Sequence, residues 1–213
     1  MKGFRRKYYS VHESPEDFYS HCNKYKNPHS KKFGPIIKKV IQWLPFDLSI
    51  ESQKCPVLDL ACGTGEITIQ LMNQNIDHVV GIDPFLATSY SENTSKPVLQ
   101  NSFEDIYQEK ILLEKYSIVF CSYALHLCED PSALLEVLKR YTQYLCVVTP
   151  HGLPIISLES GWVRIFDFKY SNIKVYLYEF TDKHEHIAEV VDIYESLRTD
   201  ELPLSLFNPV AEL

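Results

Sequence analysis

Two spacings of hydrophobic residues recur along this chain. An unbroken apolar run, Val57–Leu60, leads into a glycine-containing stretch at 61–65; helical spacing follows over Glu66–Met72, and a second short run, Val79–Ile82, ends at Asp83. Short apolar runs bounded by turn formers predict buried strands, so this region reads as strand, glycine turn, helix, strand. Upstream, residues 33–44 place Ile36, Ile37, Val40, Ile41 and Leu44 on one face and Lys38 and Lys39 opposite, which predicts a helix packed on a sheet and ended by Pro45. An earlier helix is predicted from Ser14, a capping residue followed by Pro15, Glu16 and Asp17, to about Tyr25, with Asn27-Pro28 as its stop. Downstream, 162–169 and Ile173–Phe180 are rich in β-branched and aromatic residues around Tyr170-Ser171-Asn172, so they predict an antiparallel hairpin. The loop at 150–154 runs almost directly into that hairpin, leaving the next helix short or absent. Ile187, Val190, Val191, Tyr194 and Leu197 have helical spacing in the tail, before a loose end over 202–213.

The glycine turn carries the first chemical information. Gly63 and Gly65 allow left-handed backbone and the close approach of a ligand to bare peptide groups. Asp83, at the end of the second strand, stands where a nucleotide-binding βαβ unit places a carboxylate for ribose hydroxyls. A helix N-cap ahead of Pro84 is the structural alternative for it. A dinucleotide pyrophosphate fits poorly: Ala61 holds the first glycine position, Ile67 and Thr68 hold the later ones, and Glu66 would repel the anion at the helix start.

The whole segment, Val57-Leu-Asp-Leu-Ala-Cys-Gly-Thr-Gly-Glu66, resembles motif I of the class I S-adenosylmethionine (SAM) dependent methyltransferases. Later segments resemble the same family in the same order: 96–105 the third strand and adenine-contacting turn, 116–126 the fourth strand and motif IV, 130–139 the following helix, Tyr144–Thr149 the fifth strand. The resemblance covers roughly 35–180. It implies an α/β, doubly wound, mostly parallel seven-stranded sheet of order 3-2-1-4-5-7-6 with the seventh strand antiparallel. Helices would cover both faces, and an N-terminal helical cap over 1–44 would lie above the SAM pocket. A single domain is expected, with a SAM-binding core at 55–180 and a C-terminal helix and tail at 181–213. The same resemblance implies that Asp59, Ala61, Gly63 and Gly65 hold SAM, that Asp83 with Pro84 meets the ribose, that Asn101, Ser102 and Phe103 meet the adenine, and that Cys121 lines the site. Asn101 stands where many relatives carry an acid; its side-chain oxygen could still accept from the adenine amino group.

The fourth strand narrows the reaction. Cys121-Ser122-Tyr123-Ala124 lacks the Asn/Asp-Pro-Pro-aromatic pattern of nucleobase-amine methylation, and no clustered carboxylates suggest a catalytic divalent metal. Ser122 to His126 resembles instead the Ser-x-x-Ala-Leu-His pattern of the small-molecule branch. Methyl transfer from a sulfonium is an in-line displacement for which positioning supplies most of the acceleration. A general base would be His126 or His151, each of which could equally be structural or solvent-facing. Tyr8, Tyr9, Tyr19 and Tyr25 could line an aromatic lid.

Composition then bounds the setting. The chain of 213 residues is 45% hydrophobic, enough for one core, and the basic start leads into Tyr8-Tyr9 rather than an apolar signal core. The six cysteines form no Cys-x-x-Cys, so reduced thiols, a cytoplasmic location and neither membrane nor metal are expected. The net charge of −7 is divided: residues 1–42 carry ten Lys or Arg against three acids, and the remainder eleven against twenty-five. The resemblance therefore implies methyl transfer from SAM to an acceptor, with a small molecule as the leading expectation. The alternatives are an RNA or protein methyltransferase working with a partner subunit, and a non-catalytic SAM-binding or scaffold protein; the acidic remainder disfavours an extended nucleic-acid groove.

Overall fold

The computed structural model describes residues 30–150 and 155–182. Within them lie α1 (Ser30–Trp43), α2 (Leu48–Lys54), β1 (Val57–Leu60), α3 (Glu66–Met72), β2 (Val79–Ile82), α4 (Ala87–Thr94), β3 (Val98–Leu99), α5 (Phe103–Tyr107), β4 (Ile118–Ser122), α6 (Pro131–Leu138), β5 (Tyr144–Thr149), β6 (Trp162–Tyr170) and β7 (Ile173–Phe180). The strands form a seven-stranded sheet of order β3-β2-β1-β4-β5-β7-β6, as the resemblance implied. All neighbours run parallel except β7, which is antiparallel to both β5 and β6. The central strands are covered on both faces, and for that reason they read as continuous apolar runs rather than as alternations.

Two clusters of buried side chains sandwich the sheet. On one face Phe33, Ile36, Ile37 and Val40 of α1 and Ile67 and Leu71 of α3 pack on Val57, Val79, Phe120 and Val148. On the other, Ile106 of α5 and Leu134, Leu135 and Leu138 of α6 pack on Leu58, Leu60, Val119 and Val147. The helix predicted over 33–44 is therefore α1, one turn longer at its start, and it is a layer helix with its apolar stripe on the sheet rather than above the pocket. Phe33, in its first turn, meets the ring of Tyr123 just beyond β4, while Phe46, past its end, meets Tyr144 at the start of β5. The helix thus runs from the carboxyl edge of the parallel strands to their amino edge. The expected helix at 14–25, the aromatic residues Tyr8, Tyr9, Tyr19 and Tyr25, and the tail helix lie outside the described residues.

Two helices were not anticipated. α2 is started by Asp47, whose Oδ1 accepts from the Ser49 amide at 2.8 Å and hydroxyl at 2.6 Å, and it buries Leu48. α5 begins within the stretch expected to be strand and turn, because Ser102 and Asp105 form a reciprocal capping box. β3 is accordingly only Val98–Leu99. At the opposite edge, a bulge between Arg164 and Phe166 turns Phe166 onto Trp43, with ring centroids 3.9 Å apart, and Lys39 lies over Phe168. Of the expected helix between β5 and β6, the described residues contain one 3₁₀ turn, Leu158–Ser160.

Candidate cofactor and acceptor site

The candidate site is at the carboxyl edge where β1 passes into α3. Three residues of the connection, Ala61, Gly63 and Gly65, have φ of 56°, 57° and 91°. Ala61 takes a conformation that L-residues adopt at some cost. The two glycines do different work. A Cβ on Gly63 would meet only Glu66 Oε2, at 3.8 Å, so that side of the loop is open. A Cβ on Gly65 would lie 2.4 Å from Thr94 Cγ2 and 3.2 Å from Tyr90, so Gly65 lets α4 close against the turn. The sequence reading assigned both glycines one role, whereas the structure leaves space at Gly63 and sets α4 against Gly65.

Asp83 ties the two strand ends together. Its Oδ1 accepts from the amides of Phe85 (2.9 Å) and Leu86 (2.8 Å), and its Oδ2 from the Gly63 amide (3.0 Å). The Oδ1 bonds close a local turn ahead of α4, whose N-cap is Leu86 and not Asp83, while Oδ2 accepts one bond and retains a lone pair. Asp83 can thus accept from one ligand hydroxyl without giving up a bond, where two were expected. Pro84 contributes its carbonyl, which accepts from Gln100 Nε2 at 3.3 Å.

Asp59 is wholly buried inside β1 and touches no open space. Its Oδ2 accepts from the Thr68 amide and hydroxyl at 3.2 and 2.8 Å, and the Thr68 hydroxyl is 3.0 Å from that of Tyr90. Oδ1 has no partner among the described residues. Burial, opposed by the Thr68 bonds and reinforced by the charges of Glu66 and Asp83, pushes the carboxyl up to about 7. Glu66 itself accepts from the Thr64 hydroxyl at 2.7 Å. Glu66 and Asp83 thus flank the loop, with Asp59 enclosed in β1.

The adenine-side expectations divide. Asn101 donates through Nδ2 toward Asp105 Oδ2 at 3.5 Å, which leaves its Oδ1 as an acceptor. The Ser102 amide and hydroxyl are both committed to Asp105, so Ser102 offers a ligand no backbone donor. The Ser102 amide bond, more than the Lys110 ammonium 3.4 Å away, holds the Asp105 carboxyl below its ordinary range. Phe103 is half-buried beside Asn101. Phe85 and Leu99, which the sequence reading passed over, expose 40% and 38% of their surface at the ends of β2 and β3. Apolar side chains are normally withheld from water at strand ends, and Phe85 directly after Asp83-Pro84 was the signal available.

At the end of β4, Cys121 is fully enclosed in the core and burial pushes its thiol strongly up, so its side chain does not line an open site. Ser122 and Tyr123 are the partly exposed residues there, and Tyr123 has a φ of 59°. His126 lies in the 3₁₀ turn Leu125–Leu127, partly exposed, on the segment leading to α6. His151 lies outside the described residues. Among the described residues, no group of three His, Cys, Asp or Glu is placed to hold a metal, and no helix is long and apolar enough to cross a membrane.

Comparison with known proteins places these features. Residues 57–145 match the family model of the methyltransferase domain. An uncharacterised protein of Schizosaccharomyces pombe is 27% identical over 176 residues, covering 65% of this chain and 71% of that protein. Among solved structures, a ribosomal protein L11 methylase of Lactobacillus delbrueckii superposes with a TM-score of 0.54 at 13% identity, covering 74% of this chain and 81% of that one. A SAM-dependent methyltransferase of Thermotoga maritima gives 0.52 at 14% identity, covering 77% and 98%. Those likenesses are of fold; the match over 57–145 falls on the segment that builds the loop, Asp83, Asn101 and the β4 end. Residues 57–145 thus match a methyltransferase domain, and the strand order is that of the class I, Rossmann-like methyltransferase fold.

Proposed function

We propose that the protein transfers a methyl group from SAM to a small-molecule acceptor. The observation that carries this reading is the charge around the loop. Glu66 Oε2 lies 3.8 Å from where a Cβ on Gly63 would stand and Asp83 Oδ2 accepts from the Gly63 amide, so two carboxyl groups flank the open side of the loop. Such a cradle repels a pyrophosphate and suits a cationic nucleoside. The other groups fit SAM: one free lone pair on Asp83 Oδ2 for a ribose hydroxyl, Asn101 Oδ1 for an amino group, and the exposed apolar surface of Phe85 and Leu99 for a ring.

When bound, SAM supplies an electrophilic methyl on a sulfonium. The chain's part is to hold the acceptor in line, which by itself removes much of the barrier. Ser122 and His126, at the end of β4, are the polar groups on the acceptor side, and His126 is the base for an acceptor that must lose a proton. Five described cysteines are free thiols, which supports a reducing, cytoplasmic setting.

The test is a calorimetric titration of the full chain with S-adenosylhomocysteine and, separately, with NAD. Binding of the first and not the second is expected; the reverse would overturn the reading. Failure to turn over SAM with any acceptor, despite binding, would favour a non-catalytic SAM-binding protein.

A further inference from the structure

The end of the β6–β7 hairpin breaks a local rule. Lys169 and Lys174 are directly paired across the two strands. Like charges in that position repel and weaken a hairpin. Both are exposed, and among the described residues no carboxylate pairs with either. A third lysine holds the turn itself: Lys32 of α1 donates to Ser171 Oγ at 3.2 Å and to Asn172 Oδ1 at 3.0 Å. Lys31 is exposed beside it on a helix without acids. The acid facing this group from its own strand is Asp167, in register with Tyr176 and 3.7 Å from Arg164. Lys32, from the basic first part of the sequence, thus touches the turn that joins the two lysine-bearing strands.

The position of the cluster gives it a use. Lys174 pairs with Thr149, the last residue of β5, so the hairpin end stands at the same edge as the glycine loop. Phe168 and Val175 pack toward α1, which puts Lys169 and Lys174 on the opposite face, the face of α6 and of the His126 turn that leads into it. In sheet order β5 alone separates β4 from β7, so Lys174 is about 10 Å across the strands from the end of β4. The other half of the edge carries acids: Glu104 and Asp105 on α5, and Glu129 and Asp130 before α6.

We infer that Lys169 and Lys174, braced by Lys32, form an anion subsite that holds a phosphate group of the methyl acceptor while its reacting atom lies at the end of β4. Two ammoniums balance a dianion, and lysine serves phosphates as a point charge. The acidic half of the edge confines the anion to a compact one, since a long polyanion crossing from the lysines would meet Glu129 and Asp130. This inference rests on the methyl-transfer reading for the acceptor and deepens it.

The test compares the full chain with K169Q/K174Q, using pyrophosphate as probe followed by ³¹P NMR, with S-adenosylhomocysteine present. The double variant is expected to bind pyrophosphate about tenfold more weakly. Its affinity for S-adenosylhomocysteine should be unchanged, and its melting temperature should be equal or higher because the repelling pair is gone. Equal pyrophosphate affinity in both proteins, or none in the wild type at millimolar concentration, would overturn the subsite. Binding of bulk tRNA by the wild type, lost in the variant and falling with salt at a log–log slope steeper than about −3, would overturn it in favour of an RNA backbone. If the chain fails to bind S-adenosylhomocysteine, the methyl-transfer reading falls, while the pyrophosphate comparison, repeated without it, still decides the subsite.

Discussion

The carboxyl edge of the sheet has two halves assembled in different ways. Around β1 and β2, one short connection and the strand end it meets provide the open loop, the aspartate that ties it down and the surrounding carboxylates. Around β5, β7 and β6, the polar groups come from distant parts of the chain: Lys32 on α1, His126 after β4, and Lys169 and Lys174 on the hairpin. A site made of adjacent residues is specified by local backbone conformation. One made of distant residues depends on which elements pack together. The first half lies within the residues that match the methyltransferase domain, whereas Lys32, Lys169 and Lys174 of the second lie outside them.

The sharpest break of the comparison is within the first half, between its two glycines. Gly65→Ala is expected to cost about 2–4 kcal/mol, since the new Cβ collides with Thr94 and retains a left-handed φ. Gly63→Ala has room, so its cost is limited to about 1 kcal/mol of backbone strain, while affinity for S-adenosylhomocysteine falls at least tenfold. Urea unfolding of both variants checks the first pair of numbers and calorimetry the second. Equal stability losses would show that the open side of Gly63 is not open in solution.

Asp83→Ala removes the acceptor of three backbone amides and should destabilise by roughly 1–3 kcal/mol as well as weakening SAM binding. Asp83→Asn keeps an acceptor for the turn at Phe85 and Leu86 and separates the two effects: its melting temperature should fall less, its affinity nearly as much. An asparagine variant with wild-type affinity would leave Asp83 with a purely structural role.

Asp59 ties this half to pH. Its folded pKa, about 7, lies above the unfolded value of 3.8, so between those values the native state holds the extra proton. Stability is then highest below about pH 4 as far as this group is concerned, and it falls as pH rises toward 7, by at most about 1.4 kcal/mol per unit. Asp59→Asn should flatten that dependence between pH 5 and 7, measured by urea midpoints. A wild-type curve with no slope there would place the proton elsewhere.

The smallest effect is expected at Asn101. Asn101→Ala should weaken S-adenosylhomocysteine binding by about 1 kcal/mol, the worth of one neutral hydrogen bond, with little change in stability. No loss would remove Asn101 from the adenine side, leaving Phe85 and Leu99 as the groups that meet the ring.

Much of this was legible before any coordinates. The apolar runs at Val57–Leu60 and Tyr144–Thr149, the helix Glu66–Met72 and the strand Ile173–Phe180 have their observed bounds because each is buried on one or both faces, and burial dictates residue type position by position. The capping signals at Asp47 and across Ser102 and Asp105 were also present in the sequence, although the helices they start were not read from them. What the sequence could not distinguish was the role of residues of one type. Gly63 and Gly65 differ only in what stands opposite them, open space or α4. Cys121 and Ser122 are neighbours on β4, and the pleat encloses one and leaves the other partly exposed. Asp83 reaches the Gly63 amide only because β1 and β2 lie side by side. Sequence by itself determined the elements and their order, because those follow from local conformation and from which residues avoid water. Tertiary structure alone decided which side chains meet, and with it the division between a glycine-loop half and a lysine-rimmed half, because no periodicity along a chain encodes the pairing of Lys32 with a turn at Ser171 and Asn172.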